Sequence, residues 1–123
     1  EEYTAMSNEA KNPGEVTLCV SNGYKKKFYL NENFNQLPQS IRDELKIMCV
    51  LYTEDVGGIL ELVFDEDGTL QFKTSCEEND FLYDEIGSVL KIKQYQNEKR
   101  DLLEALEMFY RIIYLGEGFD EED

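Results

Sequence analysis

Carboxylates are the side chains of this chain whose type and spacing could do chemistry, because its 123 residues include 27 acids and no histidine. Without histidine, the commonest general base, the commonest activator of a serine or cysteine nucleophile and the usual transition-metal ligand are missing. The stretch TEDVGGILELVFDEDGTLQFKTSC, residues 53–76, raises the question of a calcium loop or a phosphate loop. Counted from Asp65, a calcium loop needs glycine sixth and glutamate twelfth, where this chain has Leu70 and Cys76. The pattern argues against a calcium site.

The two glycines of this stretch do not fit a phosphate loop. A Walker-type loop runs from a strand through its glycines to a Lys-Ser/Thr pair at the start of a helix. Gly57 and Gly58 instead follow a predicted helix and precede a predicted strand. A left-handed glycine commonly ends a helix, so the pair predicts a helix C-terminus.

Turn chemistry explains the acidic run DEDG, residues 65–68. We predict a three-residue hairpin loop made of Glu66, Asp67 and Gly68, with Gly68 at the position that requires a positive φ. This loop places the apolar residues of both strands on one face: Phe64 opposite Leu70, Leu62 opposite Phe72, and Leu60 opposite Thr74. The stretch therefore predicts a β-hairpin with a charged tip.

A second hairpin is predicted from EVTLCV, SNG and YKKKFYLN, residues 15–31. A two-residue Asn-Gly turn would place Val20 opposite Lys25. A three-residue loop, residues 21–23, keeps more apolar groups on one face, with Val20, Leu18 and Val16 opposite Tyr24, Lys26 and Phe28. We predict the three-residue loop.

Three helices are predicted from apolar residues at helical spacing. The first runs from about Pro38 to Tyr52, and its stripe consists of Ile41, Leu45, Met48, Cys49 and Tyr52. The second covers about residues 80–92 with the stripe Leu82, Ile86, Val89 and Leu90, although SVLKIK, residues 88–93, alternates well enough for a strand. Asn97 is a fair N-cap for the third helix, whose main row consists of Leu102, Leu106, Phe109 and Ile113.

These elements predict an α+β fold in which two antiparallel hairpins form one sheet and the helices pack on one of its faces, in the order ββαββαα. Residues 16–116 form the single domain, residues 1–15 a flexible lead-in and residues 117–123 an acidic tail. The other sheet face is expected to be solvated, because it would carry Lys25, Lys27, Glu61, Gln71 and Lys73.

Composition and charge limit the class of protein. A formal charge of −15 repels nucleic-acid phosphates and anionic membrane surfaces at long range. No apolar run approaches the roughly 18 residues that a membrane helix needs, and no signal-peptide pattern is present. We expect a cytoplasmic protein with no nucleic-acid or membrane partner, no metal and no cofactor.

The three cysteines, Cys19, Cys49 and Cys76, are odd in number and match no CxxC metal spacing. Each lies in an apolar pattern, which predicts that all three are small buried side chains.

Uneven charge is the functional cue in the sequence. Residues 61–85 contain nine acids and one base, whereas residues 16–60 contain five of each. If the second hairpin tip and the CEENDFLYDE connection lie at the same end of the sheet, they form one negative surface that attracts a basic protein. The predicted partner-binding residues are Asp65, Glu66, Asp67, Glu77, Glu78 and Asp80.

Two other functions are kept open. A carboxylate-based, metal-dependent enzyme would need Glu54, Asp55, Asp84 and Glu85 to converge in one pocket. A homodimer could bury the apolar end of the first helix, IMCVLY, together with MFYRIIYL of the last one. We favour a non-enzymatic binding or regulatory module, for example an inhibitor or an immunity-type protein.

The segments LPQSIRDELKIMCVLYTEDVGGIL, LYDEIGSVLKIK and LEALEMFYR resemble those of a family of short uncharacterised intracellular proteins from Gram-positive anaerobic bacteria. The resemblance covers about residues 18–116. It implies a compact intracellular domain, and it carries over no functional residue because the family has no assigned activity.

Overall fold

A computed structural model of the protein describes residues 14–116, and it confirms the predicted α+β class. The elements are β1 (Val16–Asn22), β2 (Lys27–Leu30), a 3-10 turn (Glu32–Phe34), α1 (Gln39–Val56), β3 (Ile59–Phe64), β4 (Leu70–Ser75), α2 (Glu85–Glu98) and α3 (Arg100–Ile113). Most of the predicted lead-in, residues 1–13, and the whole predicted tail, residues 117–123, lie outside the described residues.

The four strands form one antiparallel sheet in the order β2-β1-β3-β4. The predicted register of the second hairpin is confirmed, since Phe64 pairs with Leu70 and Glu61 with Lys73. Gly68 has φ +85°, and a Cβ there would lie 3.0 Å from the Arg111 side chain, so the position suits glycine alone.

The predicted loop of the first hairpin is wrong. Ser21 and Asn22 belong to β1, where they pair with Phe28 and Lys27, and the turn consists of residues 23–26. The Asn22 side chain fixes this turn by accepting the backbone N–H groups of Tyr24 and Lys25. Apolar matching across the strands favoured the shorter loop, and it did not take this side-chain hydrogen bonding into account.

A register shift in β1 decides which side chains face the helices. The irregularity falls between Thr17 and Cys19, so that Val16 and Cys19 pair with core-facing residues of β3. Val20 and Val63 alternate to the opposite sheet face, yet both are buried, at 2% and 0% exposed. The expectation of a wholly solvated face is wrong at these two positions.

The core lies between the sheet and the helices. The predicted α1 stripe is confirmed, because Leu45, Met48, Cys49 and Tyr52 are buried there. The helix ends at Gly57, which has φ +90° and donates its N–H to the Thr53 carbonyl, as the double glycine predicts.

The last helix supplies the other wall of the core. Leu102, Leu106 and Tyr110 are buried, and the Tyr110 ring stacks on Phe64 with the ring centres 4.3 Å apart. Ile113, which the pattern placed in the same row, is 53% exposed because it lies in the final turn.

The segment before α3 is a helix, so the strand alternative for residues 88–93 is wrong. Its predicted bounds are also displaced, since α2 begins at Glu85 and ends at Glu98. Asn97 therefore lies inside α2 and is not the cap of α3, and Lys99 is the single residue between the two helices.

Candidate functional site

The tip of the β3–β4 hairpin carries three of the predicted partner-binding residues. Asp65 Oδ1 accepts the backbone N–H groups of Asp67 at 2.9 Å and Thr69 at 3.0 Å, and Oδ2 accepts from the Gln71 amide at 3.0 Å. These hydrogen bonds hold the pKa of the Asp65 carboxyl below its usual value, and the bond from the Thr69 N–H has the largest effect. Asp65 thus stabilises the loop, while Glu66 and Asp67 are exposed.

The other three predicted residues, Glu77, Glu78 and Asp80, follow β4. The Tyr24 hydroxyl joins this connection to the first hairpin, because it donates to Asp80 Oδ2 at 2.6 Å and accepts the Glu77 N–H at 2.9 Å. Partial burial, and then the hydrogen bond to Asp80, raises the pKa of the Tyr24 hydroxyl.

The two acidic groups lie at opposite ends of the β3–β4 hairpin. One group forms its tip, and the other follows Ser75, which pairs with Ile59 at the far end of the ladder. Six strand residues separate the groups, which is about 20 Å at roughly 3.3 Å per residue. The condition for a single negative surface, two loops at the same end of the sheet, is not met.

A run of exposed apolar side chains adjoins the second acidic group. The run is 54–93% exposed, and we call it the α2 surface; it consists of Phe81, Leu82, Ile86, Val89 and Leu90. Its three helical members are spaced i, i+3 and i+4, so they lie side by side on one face of α2. Contiguous exposed apolar patches are uncommon on monomeric globular proteins, and large ones often mark interaction sites.

Contacts on the other side of α2 fix this orientation. Asp84 caps the helix by accepting the Gly87 N–H at 2.8 Å, and the buried hydroxyl of Ser88 lies 2.5 Å from that of Tyr52. The pKa of the Tyr52 hydroxyl is raised, mainly by burial, so this hydroxyl stays neutral. The helix therefore turns a serine towards the core and its apolar stripe towards solvent.

The sequence matches a family of unknown function, DUF6145, over residues 15–118. That span includes every described element, both acidic groups and the α2 surface. The chain belongs to the DUF6145 family. No curated protein and no solved structure matches it significantly.

Membership in DUF6145 confirms the predicted resemblance only to the extent that the family has no assigned function. The Gram-positive anaerobic source stays a prediction. Within residues 14–116 of this DUF6145 protein, no helix combines the length and the apolar character needed to cross a membrane.

Two of the four acids considered for catalysis, Asp55 and Asp84, have partners of their own in this DUF6145 protein. Asp55 pairs with Lys91 at 2.8 Å, and Asp84 caps α2. Glu85 is exposed in the first turn of α2, and Glu54 lines a cavity beside the first hairpin. In the described part of the chain, no group of three or more Cys, Asp and Glu side chains could hold a metal ion.

From the sequence, we interpreted the stripe of Leu82, Ile86, Val89 and Leu90 as the buried face of an amphipathic helix and did not predict its exposure. The DUF6145 chain also offers a second stripe in this segment, Ser88, Ile92 and Tyr95, at i, i+4 and i+7. The structure packs this second stripe against the core, with Ser88 and Tyr95 buried. A helix with two such stripes on different faces can bury only one of them against the core. This pattern in the sequence could have indicated that the other stripe is exposed to solvent.

Proposed function

We propose that this domain is a non-enzymatic protein-binding module whose partner docks on the α2 surface. The exposure of that surface is the observation that carries the proposal, since Phe81 and Leu82 are 91% and 93% exposed. Burying one such side chain stabilises a complex by about 1.5–3 kcal/mol. A few central apolar anchors commonly supply most of the binding energy of an interface.

The partner we infer is a protein with an apolar ridge edged by lysine or arginine. Acids dominate the approach to the α2 surface along the chain, namely Glu77, Glu78, Asp80, Asp84 and Glu85. A negative rim beside an apolar centre speeds encounter with a basic partner and selects against acidic ones. The net charge of −15 works in the same direction, and it disfavours nucleic acid and anionic membranes as partners.

Such a module suits a regulatory role, for example that of an inhibitor or immunity-type protein covering the basic site of a toxin or nuclease. The cytoplasm is the compartment we propose for it. Three cysteines without a disulfide agree with a reducing environment. The hairpin-tip acids Asp65, Glu66 and Asp67 lie away from the α2 surface, and we assign them a secondary, long-range electrostatic contribution to partner binding.

The test is capture of binding proteins from the native cell lysate, followed by titration of the purified candidate partner with four forms of the domain. These are the wild type, Ile86→Ser/Leu90→Ser, Glu77→Gln/Glu78→Gln, and the matched control Glu66→Gln/Asp67→Asn at the opposite end of the sheet. We expect the serine variant to weaken binding at least about a hundredfold and the glutamine variant about tenfold with a reduced salt dependence. The control should change the affinity less than about threefold.

Two outcomes contradict the proposal. One is a partner whose affinity is equal for the wild type and the serine variant. The other is a wild-type domain that sediments as a dimer and becomes monomeric with the serine substitutions, because a second copy would then cover the α2 surface.

A further inference from the structure

A cavity of about 450 Å³ lies between the first hairpin and the middle and C-terminal turns of α1. Three lysines contribute to its lining, Lys26 and Lys27 from the hairpin and Lys46 from α1, and all three are exposed, so the cavity opens to solvent on their side. Phe28 and Val50 add apolar wall. The cavity is distinct from the α2 surface, and its volume falls within the range of about 300–1,000 Å³ that is usual for small-molecule sites.

The turn of residues 23–26 carries one of these lysines, Lys26, and Lys27 follows it at the start of β2. Gly23 donates its N–H to the Gly58 carbonyl at 2.8 Å, and a Cβ on Gly23 would lie 2.8 Å from that same oxygen. Lys26 has φ +54°, and it is the one non-glycine residue within 14–116 with a positive φ. A non-glycine residue in this region is uncommon, and such conformations are enriched at ligand sites.

Neutral hydroxyl groups lie beside the lysines. Ser21 Oγ and Thr53 Oγ1 are 2.8 Å apart, and both residues are almost fully buried. Thr53 Oγ1 also lies 3.2 Å from the Val50 carbonyl oxygen, to which it donates. Because Thr53 donates to a backbone carbonyl, Ser21 Oγ must donate to Thr53, and both hydroxyl protons are used within the protein. The lysines are therefore the groups of the lining that suit an anion, and Phe28 and Val50 suit an organic body attached to it.

The charge of this region is opposite to that of the protein. Residues 16–31 contain three lysines and no acid, in a chain whose net charge is −15. Among residues 14–116, the ion pairs engage Lys73, Lys91 and Lys99, and none of the three cavity lysines takes part in one. Glu54 is the acid in the lining, so the lysines outnumber the acids there.

We propose that this cavity binds a small organic phosphate. Three lysine ammonium groups can share the two charges and the several acceptor oxygens of a phosphate monoester, for which lysine is a common point-charge ligand. A single carboxylate would leave most of that positive charge unmatched. Phe28 and Val50 would take the organic part, so the ester should bind more tightly than phosphate alone.

Nuclear magnetic resonance titration of the ¹⁵N-labelled full chain tests this site. The probes are adenosine monophosphate, glucose 6-phosphate, adenosine as the uncharged counterpart, and inorganic phosphate. We expect saturable shifts from at least one ester, confined to amides of residues 21–28 and 46–54. Its affinity should exceed that of inorganic phosphate by about tenfold or more, and adenosine should cause no saturable shift.

Variants locate the site and separate it from general charge. Lys26→Gln/Lys46→Gln should weaken the ester at least about tenfold, whereas Lys93→Gln, which removes an exposed lysine from α2, should change it less than about twofold. The proposal would be overturned if the shifts from every ester failed to saturate below about 10 mM, or if both variants lost the same amount of affinity. Equal affinity for inorganic phosphate and for the best ester would overturn the proposal that Phe28 and Val50 bind the organic part of the ligand. None of these outcomes depends on the proposed protein partner.

Discussion

The hydroxyl groups of Tyr52 on α1 and Ser88 on α2 lie 2.5 Å apart in the buried interior of the domain. This hydrogen bond joins the two helices on the side of α2 where an apolar side chain would be expected, and the ion pair between Asp55 and Lys91 joins them as well. Together with the burial of Tyr95, these contacts turn one face of α2 to the core and leave the apolar stripe of Ile86, Val89 and Leu90 in solvent. A polar contact in the core is therefore among the contacts that position the proposed docking surface.

Tyr52→Phe should lower the free energy of unfolding by about 1–3 kcal/mol, because it leaves the buried Ser88 hydroxyl without this partner. Ser88→Ala should have a cost of similar size. The double variant should cost clearly less than the sum of the two single changes, since neither polar group then remains to be satisfied. Urea unfolding of the four proteins measures this coupling, and strictly additive costs would show that the two hydroxyls do not interact.

Ile86→Ser and Leu90→Ser should each change the free energy of unfolding by less than about 0.5 kcal/mol, since both side chains are mostly exposed. Leu106→Ala is the contrasting core substitution, with an expected cost of about 2–5 kcal/mol because Leu106 is 1% exposed. Thermal and urea unfolding give both values. If either serine variant lowered the free energy of unfolding by several kcal/mol, the stripe would have to face the core, as in an ordinary amphipathic helix.

The cysteines should differ sharply in their reactivity towards an aromatic disulfide reagent. Cys76 is exposed, which corrects the prediction that it is buried, and it should react at once in the native protein. Cys19 and Cys49 are buried with their sulfurs 3.9 Å apart, and burial foremost raises the pKa of the Cys19 thiol. These two should react only when guanidinium unfolds the chain. Three equal rates under native conditions would contradict the buried placement.

Asp65 should contribute to stability in a pH-dependent way. Its pKa in the folded state is lower than in the unfolded chain, so its stabilisation is fully present above about pH 5 and is lost as the pH falls through the folded pKa. Asp65→Asn should therefore be less stable than the wild type at about pH 7, and the difference should shrink below about pH 4.

Urea unfolding at several pH values measures this difference. Glu66→Gln is the control, because it removes a carboxylate from the same loop without touching the hydrogen bonds of Asp65. A stability difference for Asp65→Asn that is the same at about pH 7 and pH 3 would rule out the predicted role of the carboxylate charge.

The parts of the fold that local chemistry specifies could be predicted from the sequence. Gly68 requires a left-handed turn and thereby sets the β3–β4 register, and Gly57 ends α1 for the same conformational reason. The first hairpin was mispredicted because matching of apolar residues across strands does not include the capping of its turn by Asn22.

The candidate sites depend on tertiary placement and could be predicted only in part. Sequence indicated the acidic residues, but the topology separates Asp67 from Glu77 by the length of a strand. The outward face of α2 follows from tertiary contacts such as that between Ser88 and Tyr52, which are 36 residues apart in the chain. The lysine cavity likewise needs α1 to bring Lys46 to Lys26 of the first hairpin.

Photo-crosslinking in the native cell is the most direct test of the central claim, that a protein partner docks on the α2 surface. A photoreactive phenylalanine analogue would replace Leu90, which is 61% exposed, or Met108 on α3, which is 56% exposed and serves as the matched control. We predict that Leu90 forms a discrete crosslink to a second, basic protein and that Met108 does not. No crosslink from Leu90, the same products from both positions, or a crosslink only to another copy of this chain would contradict the claim.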